Sequence, residues 1–161
     1  SHVETDRLDD VRRLSAKAAE LGVRLFLPRD VVVAERLEAG TPARVVPVAE
    51  IPDDRVIADI GPGTASEFCR ELGDCRTVVW NGPMGVFEVP EFAEGTRRIA
   101  ATLANLHGTT VVGGGSTADA VTRFGLADEM THVSTGGGAA LTMLAGKPLP
   151  GVEVLEDAGE P

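Results

Sequence analysis

The sequence predicts an α/β fold, a three-layer domain in which a mainly parallel β-sheet is flanked by helices. Short β-branched runs alternate with segments of helical periodicity along the 161 residues, and this alternation implies βαβ crossovers and parallel strands. Hydrophobic residues make up 43% and charged residues 25% of the chain, which is ordinary for a globular domain. We find no internal linker, so residues 1–161 are expected to belong to one domain.

The first 55 residues are predicted to contain one helix and three strands. Residues 4–21 form an amphipathic helix, with Gly22 as its C-cap. Its apolar positions, which recur at helical spacing, are Leu8, Val11, Leu14, Ala18 and Leu21. Apolar runs at residues 23–27 and 30–34 predict two strands. Glycine and proline make residues 35–55 loop-like, with a short strand at 44–48.

From residue 56 onward, four predicted strands alternate with four predicted helices. The strands lie at residues 56–60, 77–80, 110–113 and 131–133, and the helices at 65–72, 91–105, 117–124 and 138–145. The expected core residues of these elements are Trp80, Phe92, Ile99 and Leu103. Regular structure is expected to end at the prolines and glycine of residues 148–151, and the tail from Leu155 is expected to be mobile.

Three glycine-marked turns each follow an apolar, strand-like run. They read NGPMGVFE at residues 81–88, GGGST at 113–117 and STGGGAA at 134–140. Glycine lets the backbone adopt positive φ and approach a ligand closely, and open parallel sheets bind ligands beyond the carboxyl ends of their strands. Two of the turns lead into predicted helices, whose N-termini attract anions through free N–H groups. Together the turns predict one composite phosphate site, although each triplet alone is equally consistent with a tight packing turn.

The charge distribution excludes some classes of partner. The formal net charge is −10 and only two lysines occur, while the arginines are scattered along the chain. This pattern argues against nucleic-acid binding, which needs a concentrated basic surface. No apolar run approaches the roughly 20 residues of a membrane span. A phosphate site in this chain is therefore expected to rely mainly on backbone N–H groups and a metal.

Several motifs closely resemble the phosphoglycerate kinase family. The strongest are VVWNGPMGVFE at residues 78–88, VVGGGST at 111–117 and STGGGAA at 134–140. Further matching stretches are FLPRDVVVAE at 26–35, ADIGPGT at 58–64, FGLADEMTHVSTGGG at 124–138 and GKPLPGV at 146–152. Their order and spacing match as well, so the resemblance covers nearly the whole chain.

The resemblance implies a cytoplasmic, monomeric enzyme of glycolysis with two domains. Such an enzyme transfers a phosphoryl group between 1,3-bisphosphoglycerate and ADP, giving 3-phosphoglycerate and ATP, with Mg²⁺. Residues 1–161 would be the latter part of its Rossmann-like, C-terminal nucleotide-binding domain. The N-terminal domain that binds the phosphoglycerate is absent from this sequence, so the chain alone is expected to be inactive.

The resemblance also implies a role for each matching residue. Those that would bind the nucleotide are Asn81, Gly82, Pro83, Gly85, Glu88, Gly114, Gly115, Ser116 and Thr117. Among them, Glu88 would accept hydrogen bonds from the ribose hydroxyls, and residues 114–117 would surround the phosphates. The catalytic residues would be Gly136 and Gly137, whose N–H groups meet the transferred phosphoryl group, and Thr135, which shapes their turn.

One position departs from the family's pattern. The family usually has an aspartate that contacts Mg²⁺ directly after the second glycine triplet, and this chain has Ser116. A serine hydroxyl ligates Mg²⁺ without supplying charge. Either Asp119, one helical turn further on, compensates for the missing carboxylate, or metal affinity is weaker.

Two other readings compete with that of a phosphoglycerate kinase fragment. The first is a truncated or degenerate module that binds nucleotide or a partner without catalysis, which Ser116 favours. The second is an unrelated dinucleotide enzyme, against which the lack of a G-x-G-x-x-G motif argues. Asp30 and Asp59 lie at strand ends, and we expect them to act as helix caps or turn formers.

Overall fold

Two separate three-stranded sheets organise the part of the chain that the structure describes, residues 4–155. In the computed structural model these residues divide into two units, residues 4–71 with 84–99 and residues 72–83 with 100–155. The helices are α1 Leu8–Glu20, α2 Pro62–Gly73, α3 Glu94–Ala104, α4 Gly115–Arg123, α5 Gly137–Leu144 and α6 Pro150–Glu153. The strands are β1 Asp30–Ala34, β2 Ala43–Pro47, β3 Val56–Ile60, β4 Thr77–Asn81, β5 Thr109–Gly113 and β6 His132–Ser134.

The sheet of the first unit is antiparallel, which corrects the expectation of parallel strands for this part of the chain. Its strand order is β2-β1-β3, with Val33 opposite Arg44 on one side of β1 and Ala34 opposite Val56 on the other. Only a single 3₁₀ turn, Val48–Glu50, lies between these strands along the chain, and no α-helix does. The crossover that parallel pairing needs is therefore missing. Val31, Val33 and Val46 form a buried cluster on this sheet.

The sheet of the second unit is parallel, as predicted. Its order is β4-β5-β6, and α3 and α4 supply the crossover connections. Asn81 lies opposite Gly113, and Gly113 lies opposite Ser134, so the carboxyl ends of all three strands align. A parallel sheet flanked by helices confirms the predicted α/β class, a Rossmann-like partial domain.

Most predicted elements are present, and the predicted core residues are buried. Trp80, Phe92, Ile99 and Leu103 are all at most 5% exposed. Gly22 ends α1 as predicted, with φ of 65° and a hydrogen bond from Val23 N–H to the Ala18 carbonyl, which is the Schellman arrangement.

The strand predicted at residues 23–27 does not form. These residues lie outside every helix and strand, and the side chains of Val23, Leu25 and Leu27 are exposed. The apolar run therefore has no strand partner in the described residues. The apolar face of α1 is exposed as well, with Leu14 at 59%.

Two smaller differences concern element ends. Helix α2 begins at Pro62, three residues before the prediction, because proline is well suited to the first turn of a helix. Regular structure continues past the expected stop at residues 148–151, since α6 adds one turn with Pro150 as its first residue. The tail predicted to be mobile falls mainly on residues 156–161, outside the described residues. Within residues 4–155, no helix is long and apolar enough to cross a membrane.

Candidate functional site

The carboxyl edge of the parallel sheet in the second unit carries the beginning of the first glycine turn, residues 81–83, and the whole of the other two turns. Asn81 ends β4, Gly113 ends β5 and Ser134 ends β6, and the three are in register. The Asn81 side chain lies against the other two turns, because its Nδ2 is 3.2 Å from a Cβ built on Gly113 and 2.7 Å from one built on Gly137. The arrangement places the beginnings of the three turns side by side, and their use as one phosphate site stays a prediction.

The first turn is tied to the helix that follows β5. Gly82 has a φ of 106°, a conformation that suits glycine. Its N–H donates to Thr117 Oγ1 at 2.8 Å, and its carbonyl accepts from Trp80 Nε1 at 2.8 Å. Thr117 is buried in the first turn of α4. Its hydroxyl therefore fixes the position of the first glycine turn relative to that helix.

The second and third turns touch through their backbones. Gly114, with φ of 95°, donates its N–H to the Ser134 carbonyl at 2.9 Å. A Cβ on Gly137 would lie 2.7 Å from the Gly114 Cα and 2.9 Å from its nitrogen. No side chain fits there without displacing backbone, so Gly137 is required by this close approach.

Two helices begin at this edge without a side-chain cap. Helix α4 has Gly114 and helix α5 has Gly136 at the N-cap, and neither residue supplies a capping side chain. The first N–H groups of a helix have no intrahelical partner, and the dipole adds positive potential there. Ser116 and Thr135 are exposed beside these ends, while Gly137 is buried. The edge is therefore suited to a multiply charged anion such as a phosphate chain.

Two side chains near this edge, Ser116 and Asp119, are the predicted metal ligands. Ser116 offers one exposed hydroxyl, and the exposed Asp119 carboxylate pairs with Arg123 Nε at 2.9 Å, one turn further along α4. Among residues 4–155, no group of three or more histidine, cysteine, aspartate or glutamate side chains is placed to hold a metal ion. A divalent ion here would depend mainly on the oxygen atoms of its ligand and on water.

Gly85 and Glu88 belong to the first unit and are described with it. Glu88 is exposed, and Gly85 packs on Asp59, whose Cγ lies 2.5 Å from the position of a Gly85 Cβ. Asp59 is 1% exposed, and burial raises its pKa to about 6 despite hydrogen bonds from the Gly95 and Ile60 N–H groups. Glu94 raises it further by charge repulsion.

Two residues that accept hydrogen bonds from these turns were not predicted to do so. Ser134 accepts the Gly136 N–H on its Oγ at 3.1 Å, and its position at the start of the third glycine turn was a usable signal. Thr96 accepts the Met84 and Gly85 N–H groups at 3.1 and 3.2 Å. It lies on α3 with no local motif, so only the folded structure identifies it.

Comparison with known proteins decides the family. The sequence profile of the family described as phosphoglycerate kinase matches residues 1–147. The chain belongs to the phosphoglycerate kinase family. The phosphoglycerate kinases of Synechococcus sp. and Thermus thermophilus are 53% and 55% identical to it, covering 98% and 97% of this chain. The structure of the phosphoglycerate kinase from Coxiella burnetii matches 93% of the chain with a TM-score of 0.87 and 40% sequence identity.

The match covers only part of each relative. The chain spans 39% of the Synechococcus phosphoglycerate kinase, 40% of the Thermus one and 38% of the Coxiella structure. Membership of the phosphoglycerate kinase family is therefore shown for a segment that is well under half the length of its relatives. The three glycine turns follow β4, β5 and β6 in chain order.

Proposed function

We propose that this chain is the latter part of the C-terminal, nucleotide-binding domain of a phosphoglycerate kinase. In the whole enzyme it would hold ADP or ATP while a phosphoryl group moves between 1,3-bisphosphoglycerate and the nucleotide. The observation that carries the proposal is the convergence of two uncapped helix N-termini, at α4 and α5, on the glycine-lined edge of the parallel sheet. Family membership supports the same reading.

Backbone N–H groups are the natural phosphate ligands of this chain. With only two lysines and a net charge of −10, strong attraction of an anionic nucleotide has to come from local dipoles. The first turn of α4 contains Gly115, Ser116 and Thr117, and it would bind the phosphates already present in ADP. In this structure the Gly136 N–H donates to Ser134 Oγ at 3.1 Å and the Gly137 N–H to the Thr135 carbonyl at 3.0 Å. During transfer these two N–H groups would exchange those acceptors for the phosphoryl group, where positioned donors lower the barrier.

The remaining parts of the proposal rest on the family resemblance. Glu88 would accept hydrogen bonds from the ribose hydroxyls, and Pro83 and Gly85 would line the nucleotide cleft. Mg²⁺ would arrive with the nucleotide phosphates as part of the substrate, with Ser116 or Asp119 as its nearest protein oxygens. The phosphoglycerate would be bound by a domain outside this sequence, in a monomeric enzyme of the cytoplasm.

A non-catalytic nucleotide-binding module is the second candidate function. The specific observation in its favour is that Ser116 replaces the family's usual aspartate while Asp119 is engaged by Arg123. A weaker hold on Mg²⁺ would leave nucleotide binding in place and reduce turnover, since the metal neutralises charge that develops on the phosphates.

Adjacent glycines in α5 provide a matched test of nucleotide binding. Gly137→Ala should weaken ADP binding to the 161-residue chain about tenfold or more, because its Cβ would displace Gly114 or Asn81. Gly138→Ala is the control, since a Cβ there meets nothing within 4 Å. Isothermal titration calorimetry with ADP and Mg²⁺ measures both.

Urea unfolding of the same variants separates binding from stability. A Gly137→Ala protein that remains folded at the assay temperature but loses ADP binding supports the phosphate role of this edge. If wild-type chain binds no ADP, or if Gly137→Ala and Gly138→Ala bind it equally well, the proposed site is wrong.

A further inference from the structure

Residues 84–88, which we call the Gly85 turn, donate three backbone N–H groups to acceptors elsewhere in the first unit. Val86 N–H donates to the Ala58 carbonyl of β3 at 2.9 Å. The two preceding N–H groups, of Met84 and Gly85, both donate to one acceptor, Thr96 Oγ1, at 3.1 and 3.2 Å. Thr96 is 0% exposed, so no water replaces this acceptor if the hydroxyl is removed.

Asp59 packs against the Gly85 turn. Its carboxylate fills the space where a Gly85 side chain would lie, and the Phe92 carbonyl lies 2.6 Å from the same position. The other carboxylate oxygen, Oδ2, accepts the Gly95 N–H at 2.7 Å in the first turn of α3. Asp59 therefore places the start of α3, and Thr96, the next residue of that helix, places the Gly85 turn.

We propose that Thr96 and Asp59 are positioning residues for the nucleotide, because together they set where the Gly85 turn presents Glu88. This inference rests on the proposed function, in which that turn contacts the nucleotide. Neither residue is assigned contact with the ligand. Their effect is to hold a short glycine-containing segment in one conformation before binding. Less conformational entropy is then lost when the ligand binds.

Two substitutions of Thr96 distinguish the effect of its hydroxyl group from the effect of its side-chain size. Thr96→Val keeps the shape and removes the acceptor, which leaves two neighbouring N–H groups without their partner. It should weaken ADP binding about tenfold. Thr96→Ser keeps the acceptor and should restore affinity to within about twofold. Titration calorimetry with ADP and Mg²⁺ on the 161-residue chain measures each variant.

Thr110→Val is the matched control for lost stability. Thr110 is also buried, and its Oγ1 accepts the Thr131 N–H at 3.0 Å. It lies near the amino end of β5, away from the carboxyl edge that carries the candidate site. Its replacement should lower stability without changing ADP affinity. An equal loss of affinity in Thr110→Val and Thr96→Val would show a general effect of destabilisation and overturn the inference.

Amide hydrogen exchange reports the positioning role without any ligand. In the wild-type chain, the Met84 and Gly85 N–H groups should be protected, and Thr96→Val should expose both while Thr96→Ser keeps them protected. Unchanged protection of these two amides in a folded Thr96→Val protein would contradict the proposal. This measurement remains informative even if ADP binding proves too weak to quantify.

A pH series tests Asp59 with an isosteric variant. Asp59→Asn resembles the neutral acid, so its ADP affinity should be below that of wild type near pH 7. The two affinities should converge as the pH falls below about 6, where the carboxyl of the wild type becomes protonated. Glu94, on α3, is the charged group that acts on Asp59. The same nucleotide is used for both proteins, so its own titration cancels in the ratio.

The outcomes distinguish this inference from the proposed function. If wild-type chain fails to bind ADP, the proposed function fails first. If wild type binds ADP and neither Thr96→Val nor Asp59→Asn alters the affinity at pH 7, the nucleotide site stands and the positioning role is wrong.

Discussion

At the scale of single residues, Asp59 is a buried carboxyl group whose ionisation is disfavoured by its surroundings. Its carboxyl group is 1% exposed, and desolvation raises its pKa from 3.8 to about 6 although two backbone N–H groups donate to it. A group whose pKa is raised on folding stabilises the folded state only while it is protonated. Near neutral pH the ionised Asp59 therefore works against folding.

Asp59→Asn should change the pH dependence of stability. The contribution of Asp59 is fully present below pH 3.8 and is lost as the pH rises through about 6. Over the whole titration, wild type should thus lose about 3 kcal/mol relative to the asparagine variant, at 1.36 kcal/mol per pKa unit, and most of this loss should fall between pH 4 and pH 7. Urea unfolding at several pH values measures this difference, and a difference that is constant over the range would refute the assignment.

Gly137 shows how one residue combines packing with a predicted catalytic role. The sequence suggests that a larger side chain there should lower kcat more than nucleotide affinity, because its N–H group meets the transferred phosphoryl group. The structure adds that a Cβ would collide with Gly114. Substitution therefore disturbs the ground-state site too, which is why alanine binding data are the sharper test.

At the scale of elements, two strand aspartates hold the first turns of two helices. Asp30, at the start of β1, accepts the Gly63 and Thr64 N–H groups at 2.9 and 2.6 Å at the start of α2. Thr64 Oγ1 in return accepts the Asp30 N–H at 3.1 Å. Asp59 does the same for α3 through Gly95. Each capping aspartate lies more than 30 residues from the helix that it caps. The caps therefore attach helices to strands that are distant in the sequence.

Asp30→Ala should destabilise the protein by about 1–2 kcal/mol, the usual cost of losing a helix cap. Burial alone would raise the pKa of Asp30, but the hydrogen bonds from Thr64 and Gly63 lower it. Its contribution is therefore present above its ordinary value of 3.8 and is lost as the pH falls below it, opposite in sign to Asp59. Urea unfolding at pH 7 and pH 3 tests this, with the exposed Asp53→Ala as control. Equal effects of the two variants would exclude the capping role.

Helix α1 has an amphipathic sequence, but its apolar face is exposed. Its sequence is amphipathic as predicted, and ion pairs such as Arg13 Nη2 with Asp10 Oδ1 at 2.8 Å support its polar face. No residue of α1 is buried. Exposed pairs of this kind contribute little to stability, and a helix of 13 residues without buried contacts is marginal in water.

At the scale of the whole molecule, the 161-residue chain should bind nucleotide without phosphoglycerate kinase turnover. In-line transfer needs both substrates positioned together with water excluded, and this chain spans about 40% of the length of the relatives it matches. A coupled assay with 3-phosphoglycerate, ATP and Mg²⁺ measures turnover, with a complete phosphoglycerate kinase as the positive control. Clear turnover above background by this chain alone would show that no further domain is needed.

Local sequence patterns were enough to predict the alternation of strands and helices, the burial of Trp80 and Phe92, and the three glycine turns. These features depend on local periodicity and on backbone conformations that glycine adopts easily. The resemblance to a kinase family was likewise carried by contiguous motifs, and it was confirmed by the match over residues 1–147.

The pairing of the strands could not be predicted from local patterns. Residues 23–27 have strand-forming composition and remain unpaired, while β1, β2 and β3 pair antiparallel. The contacts of Thr96 with the Gly85 turn, and of Asp59 with Gly95, join segments 11 to 36 residues apart. Strand pairing and buried hydrogen bonds of this kind depend on what lies across the fold, because a backbone or side-chain polar group bonds to whatever partner folding places beside it. No local pattern encodes that partner.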